Sequence, residues 1–212
     1  MWNNFIELQH ELKKIFTYYC ENPTPDHNEE LGHYNFYWKN KRLELGHISV
    51  VDKRESHGIW MMHVNAYAHA HYPMPIYGFD VVCSKKKVTG CFHDLSPTGY
   101  NDMVMPRKEV KRERTLPDWA LEIFSENMLA AGNVTEDDEC LEYAMMGMDS
   151  LEAWFITSEA LKPIVPAIKY INSRSKYCQN QLMNPHSFKV MENLGFPSDY
   201  LTEFKTSKQF PF

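Results

Sequence analysis

The sequence predicts an α+β protein in which a central antiparallel sheet is covered by helices on both faces. Three observations predict it: a helical stripe at the N-terminus, aromatic and β-branched alternation with short turns between residues 34 and 97, and a return to helical texture after Pro97. The order is helix, then a run of strands, then helices.

In residues 2–19, Trp2, Phe5, Ile6, Leu12, Phe16 and Tyr19 recur at helical spacing, and the polar, proline-bearing stretch Glu21 to Glu30 breaks the pattern. Strands follow over Tyr34 to Trp38, Leu43 to Val51, Ile59 to Ala68, Ile76 to Cys83 and Val88 to Phe92. Turns such as Lys39-Asn40-Lys41 and Lys85-Lys86-Lys87 are too short for the crossover that parallel pairing needs, so the strands form an antiparallel meander. Further on, Trp119 to Ala131 reads as a helix. Thr135 reads as the N-cap of another, with Glu136, Asp137 and Asp138 in its first turn and its end towards Glu159. Pro166 to Met183 and His186 to Asn193 complete the set, the last stopped by Gly195 and Pro197. No linker, repeat or low-complexity segment interrupts the 212 residues, which read as a single domain, residues 1–212, and as a monomer.

No apolar run reaches the ~20 residues of a membrane span, and the N-terminal segment lacks a signal peptide's pattern. The expected location is therefore the cytoplasm or a plastid-stroma equivalent, without secretion. Five cysteines without a C-x-x-C pair point to neither a disulfide framework nor a cysteine-held metal or iron-sulfur site, so any redox chemistry must borrow its electrons. The formal charge of −6 is uneven: between Lys85 and Arg114 eight basic residues face four acidic ones, and the remainder holds 14 basic and 24 acidic. That island is open to two readings, a solvated turn and loop or a surface that steers an acidic partner or anionic ligand.

The strand region is rich in protonatable side chains: His47, His63, His69, His71, Asp80, His93 and Asp94. Side chains alternate along a strand, so Met61, His63, Asn65 and Tyr67 share one face, as do Gly78, Asp80 and Val82 on the next strand. If the two strands pair, His63 can sit opposite Asp80. Such a pair on a sheltered face suits proton donation near neutral pH as a coupled unit; a histidine satisfied by an ordinary hydrogen bond is the alternative. His69 and His71 could share a metal with His63 or Asp80, but they lead into the turn-forming Tyr72-Pro73-Met74-Pro75. Gly-rich nucleotide loops, the G-x-S-x-G elbow and H-E-x-x-H are all absent from the sequence.

The segment Tyr72-Pro73-Met74-Pro75-Ile76-Tyr77-Gly78-Phe79-Asp80-Val81-Val82, followed by Asp94-Leu95-Ser96-Pro97-Thr98, resembles the ferredoxin-dependent bilin reductases, in which a histidine precedes a G-x-D-[IV]-V aspartate by seventeen residues, as His63 precedes Asp80. Leu116-Pro117-Asp118-Trp119, Glu122-Ile123-Phe124-Ser125-Glu126, Asn133-Val134-Thr135-Glu136 and Tyr177-Cys178-Gln179-Asn180-Gln181 with Asn184 resemble family motifs in the same order, from about Gly46 to Leu194. The resemblance implies a three-layer α/β/α sandwich that binds biliverdin between the sheet and the C-terminal helices. It implies reduction one electron at a time through bilin radicals, with electrons from an external [2Fe-2S] ferredoxin and no bound cofactor or metal. It gives Asp80 as central proton donor, His63 as its partner, His47 as a histidine that tunes the network, Asn184 beside the bilin and Arg114 on a propionate.

Two departures bear on the product. Phycocyanobilin-forming members carry a glutamate where this chain has Ser49, which offers no acidic proton for the outer vinyl group; a propionate-binding lysine is replaced by His186, with Arg174 as a neighbour that could serve instead. The expected outcome is reduction through 15,16-dihydrobiliverdin to phycoerythrobilin, with phycocyanobilin or a non-catalytic bilin carrier as the alternatives. The basic residues Lys85, Lys86, Lys87, Arg107, Lys108, Lys111 and Arg112 then gain a reading as the docking face for ferredoxin, and neither nucleic acid nor membrane is an expected partner.

Overall fold

The computed structural model describes residues 2–100, 103–106, 108–184 and 186–212, with the backbone alone at residues 186 and 187. Its centre is a seven-stranded sheet whose spatial order repeats the chain order, β1 (Thr24–Asn28), β2 (His33–Trp38), β3 (Leu43–Lys53), β4 (Ile59–Ala68), β5 (Ile76–Ser84), β6 (Val88–Ser96) and β7 (Leu129–Ala131). Every neighbouring pair is antiparallel.

Two hydrophobic clusters, one on each face, make the three layers. Helix α1 (Trp2–Tyr19) presents Phe5, Leu8, Leu12 and Phe16 at helical spacing, and α3 (Asp137–Ala160) presents Tyr143, Leu151, Trp154 and Phe155; together they cover Ile48, Val50, Met62, Val64, Phe79 and Val81. Phe16 stacks on Trp38 at 4.7 Å between ring centres, and the Trp154 indole N–H donates to the Pro75 carbonyl at 2.8 Å, so both helices are pinned by position as well as by area. The first turn of α3 carries Asp137, Asp138 and Glu139, which complement the positive end of the helix dipole. On the other face α4 (Ile168–Met183), α5 (His186–Asn193) and α6 (Ser198–Phe204), followed by one π-helical turn over Lys205–Gln209, pack Tyr177, Cys178, Phe188, Met191, Leu201 and Phe204 against Leu45, Val51, Tyr67 and Ile76. No described helix is long and apolar enough to cross a membrane.

The α+β class and the antiparallel sheet expected from sequence are observed, and several elements differ. The segment expected as one helix from Trp119 to Ala131 is a single helical turn, α2 (Asp118–Leu121), and then the strand β7. The helix stops because the Ser125 N–H is taken by the Asp94 carboxylate at 3.0 Å rather than by a carbonyl of the preceding turn. Strand β1 lies in the stretch read as a break, and β6 runs on from Phe92 to Ser96. The cap of α3 is Glu136 rather than Thr135, whose hydroxyl bonds the Glu136 side chain at 3.1 Å.

Gly46 is the contact point between α1 and the sheet: a Cβ there would lie 2.5 Å from the Phe16 ring and 2.9 Å from Leu43, both in the close-packed core. Gly46→Ala is expected to cost about 1–3 kcal/mol by overpacking, measured as a lower urea midpoint with an unchanged slope; an unaltered midpoint would show that α1 is not seated through this glycine.

Candidate active site

Residues directly opposite in antiparallel strands share a face, so the register writes two rows of side chains across the sheet on the side of the C-terminal helices. One row is Asn35, Ser49, His63 and Asp80; the next is Tyr37, His47, Asn65, Gly78 and Asp94. Hydrogen bonds tie the rows together, from His47 Nε2 to Asn35 Oδ1 at 3.0 Å and between Asn65 Nδ2 and His63 Nε2 at 2.7 Å.

His63 Nδ1 is hydrogen-bonded to Asp80 Oδ1. Asn65 Nδ2 lies 2.7 Å from Nε2, so both nitrogens of the His63 ring are engaged and its orientation towards the carboxyl is fixed. The Oδ1 of the same Asn65 amide is buried and has no partner among the described residues. The His63 side chain is 12% exposed and that of Asp80 42%, so the carboxyl is the member of the pair that an incoming molecule meets.

It meets it on the floor of a cleft of about 750 Å³, a volume usual for small-molecule sites. The cleft exists because the second layer of helices does not seal β5. Tyr77, Phe79, Val81 and Cys83 are buried against α1 and α3, while Gly78, Asp80, Val82 and Ser84 on the opposite face stay partly open. Phe92, Trp119, Phe124, Phe204 and Phe210 wall the space, and Gln181 and Asn184 enter from the end of α4. Arg114 lies at its exposed rim, where Nη2 donates to the Thr89 carbonyl at 2.6 Å. The Trp119 and Phe124 wall is fastened by Asp94, buried on β6, which accepts from Ser96 Oγ at 2.6 Å and from the Ser125 N–H and hydroxyl. Burial pushes the Asp94 carboxyl upward, and the Ser125 and Ser96 bonds work against that rise.

The other residues singled out from sequence fall as follows. Ser49 lines the cleft and bonds His33 Nε2 at 2.7 Å. His47 lies below the cleft floor, fully buried and stacked on Tyr37 at 4.6 Å, with its ring centre 6.5 Å from that of His63 and no hydrogen bond to it. Arg174 is away from the cleft, buried and paired with Glu44, and its guanidinium covers the Phe212 ring at 3.8 Å, so the suggestion that it anchors a ligand carboxylate is corrected. His186 opens α5, and its side chain lies outside the described residues, as does Arg107 altogether. His71 bonds the Ile164 carbonyl at 2.8 Å and His69 lies 3.7 Å from Glu44; no three His, Cys, Asp or Glu side chains converge as a metal site among the described residues. Of the basic island, Lys85, Lys86 and Lys87 form the exposed β5–β6 turn, Lys87 and Arg112 both bond Asn133, Lys111 is exposed, and Lys108 pairs with Glu142.

Sheet, covering helices and cleft define a class, the bilin-reductase fold. A solved structure of PcyX superposes with a TM-score of 0.71 at 24% identity over 98% of both chains. Phytochromobilin synthase from tomato, solved in complex with biliverdin, gives 0.77 at 12% identity over 97% of this chain and 82% of that one. In sequence the chain is similar to the phycocyanobilin:ferredoxin oxidoreductase of Trichodesmium erythraeum (strain IMS101), 27% identical over 154 residues, which is 66% of this chain and 62% of the relative. It is likewise similar to that of Prochlorococcus marinus (strain MIT 9515), 23% identical over 191 residues, 84% of this chain and 76% of the relative. No family model matches. The resemblance to ferredoxin-dependent bilin reductases drawn from the motifs is thus borne out in both sequence and fold.

Sequence reasoning passed over His33, Tyr200 and Phe210. The first had a signal: His33, Asn35 and Tyr37 alternate along β2 as His47 and Ser49 do along β3, which marks a polar stripe on one face.

Desolvation holds His33 and His93 down to about 4 and His47 well below its ordinary value, so all three are neutral in the folded protein where the unfolded chain's histidines, near 6.5, take up protons. Stability is then full above about pH 6.5 and is lost as pH falls towards about 4, at up to about 1.4 kcal/mol per pH unit for each histidine. Asp94, raised rather than lowered, acts in the opposite sense but alone. Urea unfolding at pH 7.5 and at pH 5.0 is expected to give a clearly lower stability at pH 5.0; equal values would mean that the buried histidines do not stay neutral.

Proposed function

We propose that this chain is a ferredoxin-dependent bilin reductase that takes biliverdin into the cleft and reduces it to a phycobilin. The observation that carries the proposal is the Asp80 carboxyl, backed by His63, opening onto the floor of an aromatic-walled slot with a guanidinium at its rim. Flat, conjugated, dianionic tetrapyrroles suit such a slot. The walls face the rings, Arg114 offers charge-assisted hydrogen bonds to a propionate, and Asn184 lines the same cavity.

Reduced [2Fe-2S] ferredoxin delivers one electron at a time, so each addition passes through a bilin radical. Every carbon-carbon double bond saturated consumes two electrons and two protons. Asp80 gives a proton to the pigment, and His63 orients the carboxyl and shares the proton that reloads it. The supporting cationic surface is the β5–β6 turn with Lys111 and Arg112, whereas Lys108 is partly neutralised by Glu142; this face would receive the acidic ferredoxin, acting on a monomer in the cytoplasm or plastid stroma.

Ser49 at the cleft presents a hydroxyl and no resident carboxylic acid. That favours reduction at the bridge between the C and D rings and then at the A ring, four electrons and four protons in all, through 15,16-dihydrobiliverdin to phycoerythrobilin.

The test is an anaerobic absorbance time course with biliverdin, reduced ferredoxin and an oxygen scavenger, followed by product chromatography. Biliverdin absorption should decay through a transient radical to phycoerythrobilin. Phycocyanobilin would overturn the product assignment, and an unchanged bound spectrum would leave a carrier. Asp80→Asn should still bind biliverdin but reduce it about 10²–10⁴-fold more slowly, while Arg114→Ala should chiefly weaken binding.

A further inference from the structure

His33 is a costly residue where it stands. It is fully buried, with its ring edge-on to Phe196, Tyr200 and Phe204 at centre distances of 5.6, 5.8 and 4.6 Å, a setting in which a phenyl ring would need no hydrogen bonds at all. Yet both its nitrogens are engaged, Nδ1 with the Tyr200 hydroxyl at 2.6 Å and Nε2 with Ser49 Oγ at 2.7 Å. Tyr200 is partly exposed on α6, and Ser49 lines the cleft directly opposite His63 in the strand register. The three side chains therefore form an unbroken hydrogen-bonded line from the protein surface, through the aromatic cage, to the cleft, and it shares no member with the His63–Asp80 pair.

Resting on the reductase reading above, we propose that Tyr200, His33 and Ser49 are a second proton path into the cleft, which serves the second of the two reduction steps. In the resting arrangement Tyr200 O–H donates to Nδ1, Nε2–H donates to Ser49 Oγ, and the Ser49 hydroxyl is left to donate into the cleft. When the pigment has received its second pair of electrons from ferredoxin, one of the two protons that the step consumes comes from Asp80; for the other, a pigment carbon supplies the electron pair of a new C–H bond and Ser49 supplies the proton. Ser49 regains one from Nε2, Nδ1 takes the Tyr200 proton, and water replaces that at the surface. One proton has moved and His33 ends as its other tautomer. Burial, which holds the His33 imidazole down to about 4 and pushes the Tyr200 phenol up to about 12, favours a shift in which neither becomes a resident ion. A serine hydroxyl is a far weaker acid than Asp80, so it gives its proton only to a strongly basic carbon, which is why the path acts on already reduced pigment.

Tyr200→Phe removes the hydroxyl alone, and His33→Phe fills the cage while cutting the line; the first keeps the test valid should the second fail to fold. Each is compared with wild type for biliverdin affinity and for single turnover in H2O and D2O with chromatography of the products. The expected result is unchanged affinity, a second step slowed about 100-fold in His33→Phe and in the same direction in Tyr200→Phe, accumulation of the two-electron product, and loss of the deuterium sensitivity of that step. Variants that complete both steps at wild-type rates overturn the path, as do variants that slow both steps equally with weakened pigment binding. Wild-type protein that leaves biliverdin unreduced overturns the reductase reading itself.

Discussion

Strand register is the constraint on which the rest of this molecule depends. His63 faces Asp80, and Ser49 faces His63, because β3, β4 and β5 pair without a slip through these positions. A one-residue shift in any of these pairings would turn a whole strand over, sending its polar side chains into the core against α1 and α3 and its apolar ones into the cleft. The hydrophobic alternation that holds α1 and α3 on one face thus also aligns the polar row on the other. Interruptions of the ladder fall at the margins, between Leu43 and Leu45 and between Val82 and Cys83, clear of the His63–Asp80 pairing.

Polar groups of the sheet are handled in two ways. His33 and His47 on the cleft side, and His93 on the opposite face beside Phe79, are desolvated and neutral, each held by at least one hydrogen bond. Asp80 stays half-open to the cavity. The half-open carboxyl is backed by His63, and the nearby His33 and His47 are imidazoles kept uncharged by burial. The walls are held separately: the Asp94–Ser125 attachment belongs to β6 and the segment before β7, and removing a buried partner there would leave a carboxylate short of donors.

Much of this was legible in the sequence because it rests on period-two alternation and short turns. The pairing of His63 with Asp80 follows from the faces of two adjacent strands, and the helix over residues 2–19 from the spacing of its apolar residues. What was not legible depended on tertiary context. Leu129-Ala130-Ala131 are good helix formers that become a strand because β6 offers them a partner. Thr24 to Asn28 is polar and carries Pro25, tolerable only because β1 is an edge strand. The loss of helix after Leu121 required the Ser125 N–H to donate to Asp94, 31 residues before Ser125 in the chain. Arg174, offered as a substitute for the propionate-binding lysine that His186 replaces, is directed towards Glu44 by the turn of α4.

The sheet's spatial order also has a kinetic meaning. Strands β1 to β6 join only to their chain neighbours through short links, so their contacts are local and each hairpin can close with little loop entropy. The last pairing, β6 with β7, encloses the long excursion that carries Trp119 and Phe124. The cleft floor therefore belongs to the part of the sheet with local contacts, and the Trp119 and Phe124 wall to the part closed by a distant one. Sequence change in that wall can reshape the cavity without disturbing the strand register beneath it.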